Sequence, residues 1–436
     1  MRYGAVTKTP GEVHSRPGSG ARGRRPFGGV WRHPDFRNLW LAGAVSMVGT
    51  EVSGLAFPLT ATLLLGAGPI GMGILTASRD APSLLFGLFA GPWVDRLRRR
   101  PVLIWCDLAR AAVLVSIPLA WIAGLLNLAY LSLAAFLVGT FTVFFEIAKA
   151  SYLPSVLRSE ELVEGNSKIE VSESLTQFVG PGIGGALIQV LSAPLAIAFD
   201  AVSFLGSALL LGRIQTPEAG EQRTATRPGI MAEAREGLRF VVAHPLLRPL
   251  VGYAATTQLC MNAVIALYVL YARELGLSPA AIGVTFMGAA PGTILGALVT
   301  GRLVGRFGVG PIMSLAAFLP GLGVLLMTWA TGAPVAPVLV LTAAWFLLAV
   351  HAIYDISEVS VRQAATPDPL RGRVNASFNF AFYGVMPVGA LLGGLLGATI
   401  GIPTTLLVAA AGLLLAPLWI LLTPLRRLSQ PPRPGE

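Results

Sequence analysis

Three ionisable side chains stand inside long apolar stretches of this 436-residue chain, where they could take part in moving charge through a membrane. Glu51 interrupts the first apolar stretch, and the adjacent Arg79 and Asp80 interrupt the second. An ionised group in hydrocarbon costs about 2.5–3.5 kcal/mol on insertion scales, so each one invites a functional interpretation. A carboxylate beside a guanidinium could gain and lose a proton as water gains and loses access to it.

Helix geometry predicts that these three side chains lie at a similar depth. Glu51 is about 12 residues, roughly 18 Å, from the start of its apolar stretch. Arg79 and Asp80 are about 10 residues, roughly 15 Å, into the next stretch, which runs in the opposite direction. We therefore expect one mid-membrane cluster with a proton-coupling or substrate-binding role. The alternative is a structural ion pair, because adjacent residues on a helix point about 100° apart.

The composition places the chain in a lipid bilayer. It is 54% hydrophobic and only 12% charged, whereas soluble domains carry about 25% charged residues. A membrane-spanning helix needs about 20 mostly apolar residues, and twelve stretches satisfy this requirement. We predict an all-α membrane protein whose twelve transmembrane helices cover residues 39–65, 70–93, 102–124, 129–151, 168–190, 194–213, 247–270, 280–303, 311–330, 335–360, 376–399 and 403–424.

The arginines indicate how the spans are oriented. In the short loops on one side of the predicted spans, Arg273 is the single Lys or Arg. The two chain ends and the loops on the other side carry the remaining loop arginines, so we expect both termini to be cytoplasmic. The net charge of +10 then reflects membrane topology, and we expect no nucleic-acid partner.

The chain also reads as two related halves. A His-Pro-x-x-Arg motif that begins at His33 recurs at His244, and Glu51 corresponds to Asn262 in the same repeat. Duplicated six-span units form a substrate path between the halves, near the middle of the membrane. We predict a disordered basic cytoplasmic tail (1–30), an N-terminal six-helix bundle (31–213), a cytoplasmic linker with an amphipathic helix (214–243), a C-terminal six-helix bundle (244–425) and a cytoplasmic tail (426–436).

The loop after the second span carries a recognisable motif. Its residues Gly91-x-x-x-Asp95-Arg96-x-x-Arg99-Arg100 resemble the G-x-x-x-D-R-x-x-R-R signature of major facilitator superfamily transporters. In that superfamily the aspartate pairs across to the neighbouring helix bundle and locks the outward-open state. The resemblance therefore implies a gating role for Asp95 and Arg96, with Gly91 in the same motif.

A second charged group lies close to this loop in the sequence. Asp107 and Arg110 are three residues apart on the third predicted span, so they can pair locally. We count both among the gating candidates.

On the tenth span, His351, Asp355 and Glu358 share one helical face. A metal site would need further ligands, so we interpret this face as a polar lining of the cytoplasmic entrance.

The fifth span contains the motif Gly180-Pro181-x-x-Gly184-Gly185, which resembles a helix-five signature associated with exporters. Small residues allow helices to approach closely, and proline removes a backbone donor and bends the span. We therefore expect these four residues to take part in conformational change, with ordinary small-residue packing as the alternative.

Taken together, these motifs resemble a bacterial exporter branch of the superfamily that includes enterobactin-exporter-like and macrolide-efflux-like proteins. The resemblance implies two pseudo-symmetric six-helix bundles in a bacterial inner membrane and proton-coupled antiport of small organic molecules, such as drugs, macrolides or siderophores, by alternating access. A uniporter or an importer of another small solute is the alternative.

The sequence gives no support to an enzymatic function. It contains no Walker-type phosphate loop, no H-E-x-x-H motif and no Ser-His-Asp set. We expect no cofactor and no metal, a proton gradient as the energy source, and a monomer whose partners are a small-molecule substrate and the lipid bilayer.

Overall fold

The computed structural model describes residues 29–87, 90–94, 96–216, 230–333 and 335–430, and in this part of the chain every regular element is a helix. The predicted tails and linker extend beyond these limits, and Asp95 also lies outside the described residues. The α-helices are α1 (Pro34–Leu63), α2 (Pro69–Phe86), α3 (Ala90–Val94), α4 (Arg99–Ile122), α5 (Leu128–Val156), α6 (Leu162–Leu191), α7 (Ala193–Gly212), α8 (Ile230–Ala243), α9 (Leu247–Glu274), α10 (Pro279–Met287), α11 (Ala289–Phe307), α12 (Val309–Ala316), α13 (Leu319–Met327), α14 (Val335–Val350), α15 (Ala352–Ala365), α16 (Arg371–Gly384), α17 (Met386–Ile400), α18 (Ile402–Leu415) and α19 (Leu418–Leu421). Short 3₁₀ turns occupy Val30–Arg32, Asp368–Leu370 and Pro424–Arg427.

Twelve helical segments match the predicted spans. Within the described residues, eleven of them are long and apolar enough to cross a membrane by length and composition. The twelfth is α2, whose hydropathy is lowered by Arg79 and Asp80 at its centre, and which packs against α5, α9 and α17. The predicted all-α membrane fold is therefore confirmed.

Five spans of the second half are interrupted, whereas its first span, α9, is one continuous helix. The pairs α10–α11, α12–α13, α14–α15, α16–α17 and α18–α19 each form one span with a break inside it. Four breaks lie at or just before Pro291, Pro320, Pro387 and Pro417. Proline lacks an amide hydrogen and clashes with the preceding turn of the helix, which explains these positions. The fifth break, at His351, has no such proline.

The helix α8 lies in the segment predicted to be a linker, and residues 217–229 of that segment lie outside the described part. α8 packs against α16 of the second half. Gly237 allows a close approach, since a β-carbon there would lie 2.5 Å from the carbonyl oxygen of Arg373. The Arg373 guanidinium also pairs with Glu236 at 2.7 Å. The linker is thus anchored on the second half of the protein.

Contacts between the halves concentrate at one end of the molecule. We call the end with the arginine-rich loops the basic face and the other end the opposite face. The most extensive contacts between the halves join α2 to α17 and α6 to α10. α17 and α10 are the segments of their spans nearer the opposite face, so the two halves meet there and diverge towards the basic face.

Candidate functional site

The structure brings together the three ionisable residues that the sequence places at mid-membrane depth. The Nε atom of Arg79 lies 3.9 Å from Oδ1 of Asp80. Glu51, on the neighbouring α1, is close enough to Arg79 for an electrostatic interaction. We call Glu51, Arg79 and Asp80 the mid-membrane cluster. The cluster joins α1 and α2, two consecutive spans.

Arg79 and Asp80 point into different environments. The Arg79 side chain is 63% exposed, while the Asp80 side chain is 15% exposed. This difference follows from the rotation of about 100° between adjacent helical residues. The guanidinium is therefore the accessible member of the pair, and the Asp80 carboxylate is recessed beside it.

Arg79 is exposed on the side of α2 that faces away from lipid. Ile70 and Ile74 are exposed apolar residues and mark the lipid-facing side, while Gly73 and Ala77 pack against the second half. Helical rotation places Arg79 about 180° from Ile70 and about 140° from Ile74. The exposed guanidinium therefore lies on the face of α2 that is opposite these two isoleucines.

Asn262, the repeat counterpart of Glu51, is placed differently. Its side chain is buried, and its amide nitrogen donates a hydrogen bond of 3.0 Å to the carbonyl oxygen of Gln258, one turn earlier in α9. This local bond satisfies the amide within its own helix. Asn262 thus makes its hydrogen bond inside α9, in contrast to the charged side chains of the mid-membrane cluster.

The glycine–proline motif of the fifth span divides between two faces of α6. Gly180 and Gly184 pack against α1, and a β-carbon at Gly180 would lie 2.5 Å from Cβ of Glu51. Pro181 and Gly185 face α10 of the second half. One motif therefore supports the mid-membrane cluster on one side and the contact between the halves on the other.

The contacts between the halves follow the pseudo-symmetry of the repeat. A β-carbon at Gly185 would lie 3.2 Å from Cα of Gly283, and a β-carbon at Gly394 would lie 2.9 Å from Cα of Gly73. Gly394 follows Gly185 by 209 residues, and Gly283 follows Gly73 by 210, so these are equivalent pairs. Two glycine-to-glycine contacts, related by the repeat, close the opposite face.

The predicted gate at the basic face is described in part, because Asp95 lies outside the described residues. Gly91 is in α3, where a β-carbon would meet no atom of the described chain within 4 Å. Arg96 is exposed, and its backbone amide donates to the carbonyl of Trp93 at 3.2 Å. Arg100 donates to the last carbonyl groups of α7, so this member of the arginine run caps a helix.

Asp107 and Arg110 form an ion pair in the interior of the first half. Asp107 is fully buried and Arg110 is 3% exposed. The guanidinium carbon of Arg110 lies between two aromatic rings, 4.2 Å from the centroid of Phe145 and 4.1 Å from that of Phe204. Such cation–π contacts strengthen when they are shielded from water. The pair thus sits within the N-terminal bundle and away from the boundary between the halves.

A further buried carboxylate was not among the residues selected from the sequence. Asp200 of α7 is 1% exposed and accepts a hydrogen bond of 3.0 Å from the Ser203 hydroxyl. It also interacts electrostatically with Asp107 and Arg110. The sequence could have identified it, because Asp200 is an acidic residue inside a predicted span.

The second half contains a polar cluster around His351. The Tyr253 hydroxyl lies 2.7 Å from Nε2 of His351 and also donates to the carbonyl oxygen of Ala317 at 3.1 Å. Nδ1 of His351 is 3.5 Å from the Asp355 carboxylate. His351 and Ala317 both lie at helix breaks, so Tyr253 joins two interrupted spans. No group of three or more possible metal ligands occurs among the described residues.

The two histidines that mark the repeat have different environments at the basic face. His33 lies 3.0 Å from a Glu161 carboxylate oxygen. The hydrogen bond from His33 and a second one from the backbone amide of Arg158 hold the pKa of Glu161 below its usual value. Partial burial lowers the pKa of His244. The repeat therefore preserves the residue type and not its interactions.

Comparison with known proteins agrees with this architecture. The sequence profile of the family described as transmembrane secretion effector matches residues 28–432. The chain is 30% identical over 387 residues to the multidrug efflux pump Tap of Mycobacterium tuberculosis, covering 87% of this chain and 90% of that one. It is 26% identical to the enterobactin exporter EntS of Escherichia coli O127:H6, covering 92% and 94% of the two chains.

A solved structure shares the same fold. The crystal structure of a bacterial homologue of the iron transporter ferroportin, in its inward-facing state, superimposes with a TM-score of 0.71 at 17% sequence identity. The match covers 89% of this chain and 98% of that one. With twelve spans in two related halves and a profile match over nearly its whole length, the chain belongs to the transmembrane secretion effector family of the major facilitator superfamily, and is a membrane transporter and not an enzyme.

Proposed function

We propose that the protein exports small organic molecules from the cytoplasm by proton-coupled antiport. The observation that carries this proposal is the mid-membrane cluster, which combines two carboxylates with a guanidinium between the pseudo-symmetric halves. A carboxylate in such a place changes its proton affinity when water reaches it from one side or the other. The relatives named as a multidrug efflux pump and an enterobactin exporter support outward transport of drug-like or siderophore-like molecules.

The arrangement of the halves supports alternating access. If the basic face is cytoplasmic, as the arginine distribution predicts, the described conformation is closed to the outside and open to the cytoplasm. Cargo would enter between the halves from the cytoplasm, and rocking of the halves about the mid-membrane cluster would release it on the other side. Both termini would then be cytoplasmic in a bacterial inner membrane, and the protein would work as a monomer.

We expect substrate-dependent proton movement to be lost in Glu51→Gln or Asp80→Asn, because an amide cannot accept the proton that a carboxylate carries. The measurement uses proteoliposomes under an imposed pH gradient, with macrolides, dyes and siderophores as candidate cargo and an internal pH-sensitive dye as the readout. Glu274→Gln is the matched control, since Glu274 is an exposed carboxylate at the far end of α9. Transport that continues without proton movement in the wild type would instead indicate a uniporter.

A further inference from the structure

We propose that Arg79 is the cargo-recognition residue of the transporter and selects organic molecules that carry an acidic group, such as a carboxylate. This inference rests on the proposed export function and assigns it a substrate class. Its basis is the contrast within the mid-membrane cluster, where the guanidinium is 63% exposed and the adjacent carboxylate is 15% exposed.

The N–H groups of the Arg79 guanidinium make no hydrogen bond to another described residue. An arginine presents five N–H groups in a fixed planar arrangement. Among the described residues, none accepts a hydrogen bond from Arg79, and its nearest carboxylate oxygen, on Asp80, is 3.9 Å away. A carboxylate or phosphate on a cargo molecule could receive two parallel hydrogen bonds from such a group.

The carboxylates near the guanidinium and deeper in the first half are more buried than Arg79. The stem of Glu51 is covered by α6, where Gly180 approaches its Cβ. Deeper in the first half, Asp107 is paired with Arg110 and Asp200 is 1% exposed. Within the mid-membrane cluster, the guanidinium is therefore the most exposed charged group.

The second half offers no opposing charge at the equivalent depth. The repeat positions that correspond to Glu51, Arg79 and Asp80 are Asn262 and, near the pair, Ala289 and Ala290. Nearer the basic face, charged groups form pairs, as in the 2.8 Å contacts of Lys149 with Glu173 and of Arg362 with Glu358, and the Asp355 carboxylate is 66% exposed. At these repeat-related positions, the exposed charge is thus positive in the first half and absent in the second.

Two dyes with the same ring system but opposite charge provide the test. Fluorescein carries a carboxylate, whereas rhodamine 6G is a cation whose carboxyl group is esterified. Binding of each dye to the full chain in lipid nanodiscs would be measured by fluorescence anisotropy. We expect the wild type to bind fluorescein more tightly than rhodamine 6G. We also expect Arg79→Gln to weaken fluorescein binding about 10- to 100-fold, the range of a lost charge-assisted hydrogen-bond pair.

Matched variants separate recognition from general effects. Arg79→Lys keeps the charge but loses the planar fork, so it should weaken fluorescein binding by less than Arg79→Gln. Arg302→Gln removes an exposed arginine near the basic face and should leave both affinities unchanged. Rhodamine 6G binding that survives in Arg79→Gln would show that this variant is folded.

The inference is wrong if fluorescein binds no more tightly than rhodamine 6G, or if Arg79→Gln leaves fluorescein binding unchanged. Export of rhodamine 6G alone, coupled to protons, would overturn the acidic-cargo inference while leaving the export function in place. Absence of any gradient-driven transport across the whole cargo panel would instead overturn the export function itself.

Discussion

We expect the substitution Arg110→Gln to lower the free energy of unfolding by about 3–5 kcal/mol, the usual result of breaking a buried ion pair. The variant would leave Asp107 fully buried without its counter-ion, and it would also remove the guanidinium from between two aromatic rings. Neither loss can be repaired by water, because the pair lies in the interior of the first half.

The measurement is reversible unfolding in mixed micelles with an increasing fraction of SDS. Cys106 provides the signal, because its thiol is 6% exposed in the folded protein and a thiol-reactive fluorogenic dye would label it on unfolding. A Cys260→Ser background removes the second free cysteine. Arg302→Gln serves as the control, because a change at an exposed arginine is expected to stay within about 0.5 kcal/mol.

A double variant distinguishes pairing from packing. If the cost of Arg110→Gln arises from the unpaired carboxylate, then Asp107→Asn in the same chain should recover at least half of it, because neutral partners remove the buried charge. A loss below about 1 kcal/mol in the single variant would contradict a structural role for the pair. The pair would then be better explained as part of the gate, the role that its position near the arginine-rich loop in the sequence predicts.

The substitution Gly185→Leu should abolish transport while leaving the protein folded. A β-carbon at this position would lie 2.5 Å from the carbonyl oxygen of Pro279 and 3.1 Å from Cα of Ala280, so α6 and α10 would have to separate. Overpacking of this kind costs about 1–3 kcal/mol. That cost falls on the conformation closed at the opposite face, so its population should drop by about 5- to 150-fold.

Crosslinking reports the closure directly. Gln189 and Ala280 face each other across the contact, with the Ala280 amide 3.2 Å from the Gln189 side-chain oxygen. The pair Gln189→Cys and Ala280→Cys, in a chain without its two native cysteines, should form a disulfide readily in the parent and poorly with Gly185→Leu. Gly54→Leu is the control, because a β-carbon there meets no atom of the described chain within 4 Å.

The pseudo-symmetry adds an independent check. Gly394→Leu alters the equivalent contact between α17 and α2 and should reproduce both effects, with crosslinking at the first contact again reduced. Efficient crosslinking and normal transport in both variants would show that the glycine contacts are ordinary packing, the alternative that the sequence leaves open.

The sequence by itself determined the spans and the two halves, and it predicted the depth of the ionisable groups. A span can be recognised as a run of about 20 apolar residues, without knowledge of the neighbouring helices. The same holds for the repeat, which relates His33 to His244 by spacing alone. Depth follows from a rise of about 1.5 Å per residue, so Glu51, Arg79 and Asp80 could be placed together before their contacts were known.

The tertiary structure decided which neighbour each face of a helix meets. Helical periodicity separates Gly180 and Gly184 from Pro181 and Gly185, but packing assigns the first pair to α1 and the second to α10. Likewise, both Arg79 and Asp80 are polar residues in a span, and the surrounding helices leave the arginine exposed.

The contacts of the buried polar clusters also depend on tertiary packing. Asp107 and Arg110 could be paired from their spacing, but their enclosure by Phe145 and Phe204 depends on contacts with α5 and α7. Tyr253 and His351 are 98 residues apart and meet because two interrupted spans pack beside α9. Whether a polar side chain is buried, and which residue it pairs with, depends on how several helices pack together. The sequence of one helix therefore does not determine either.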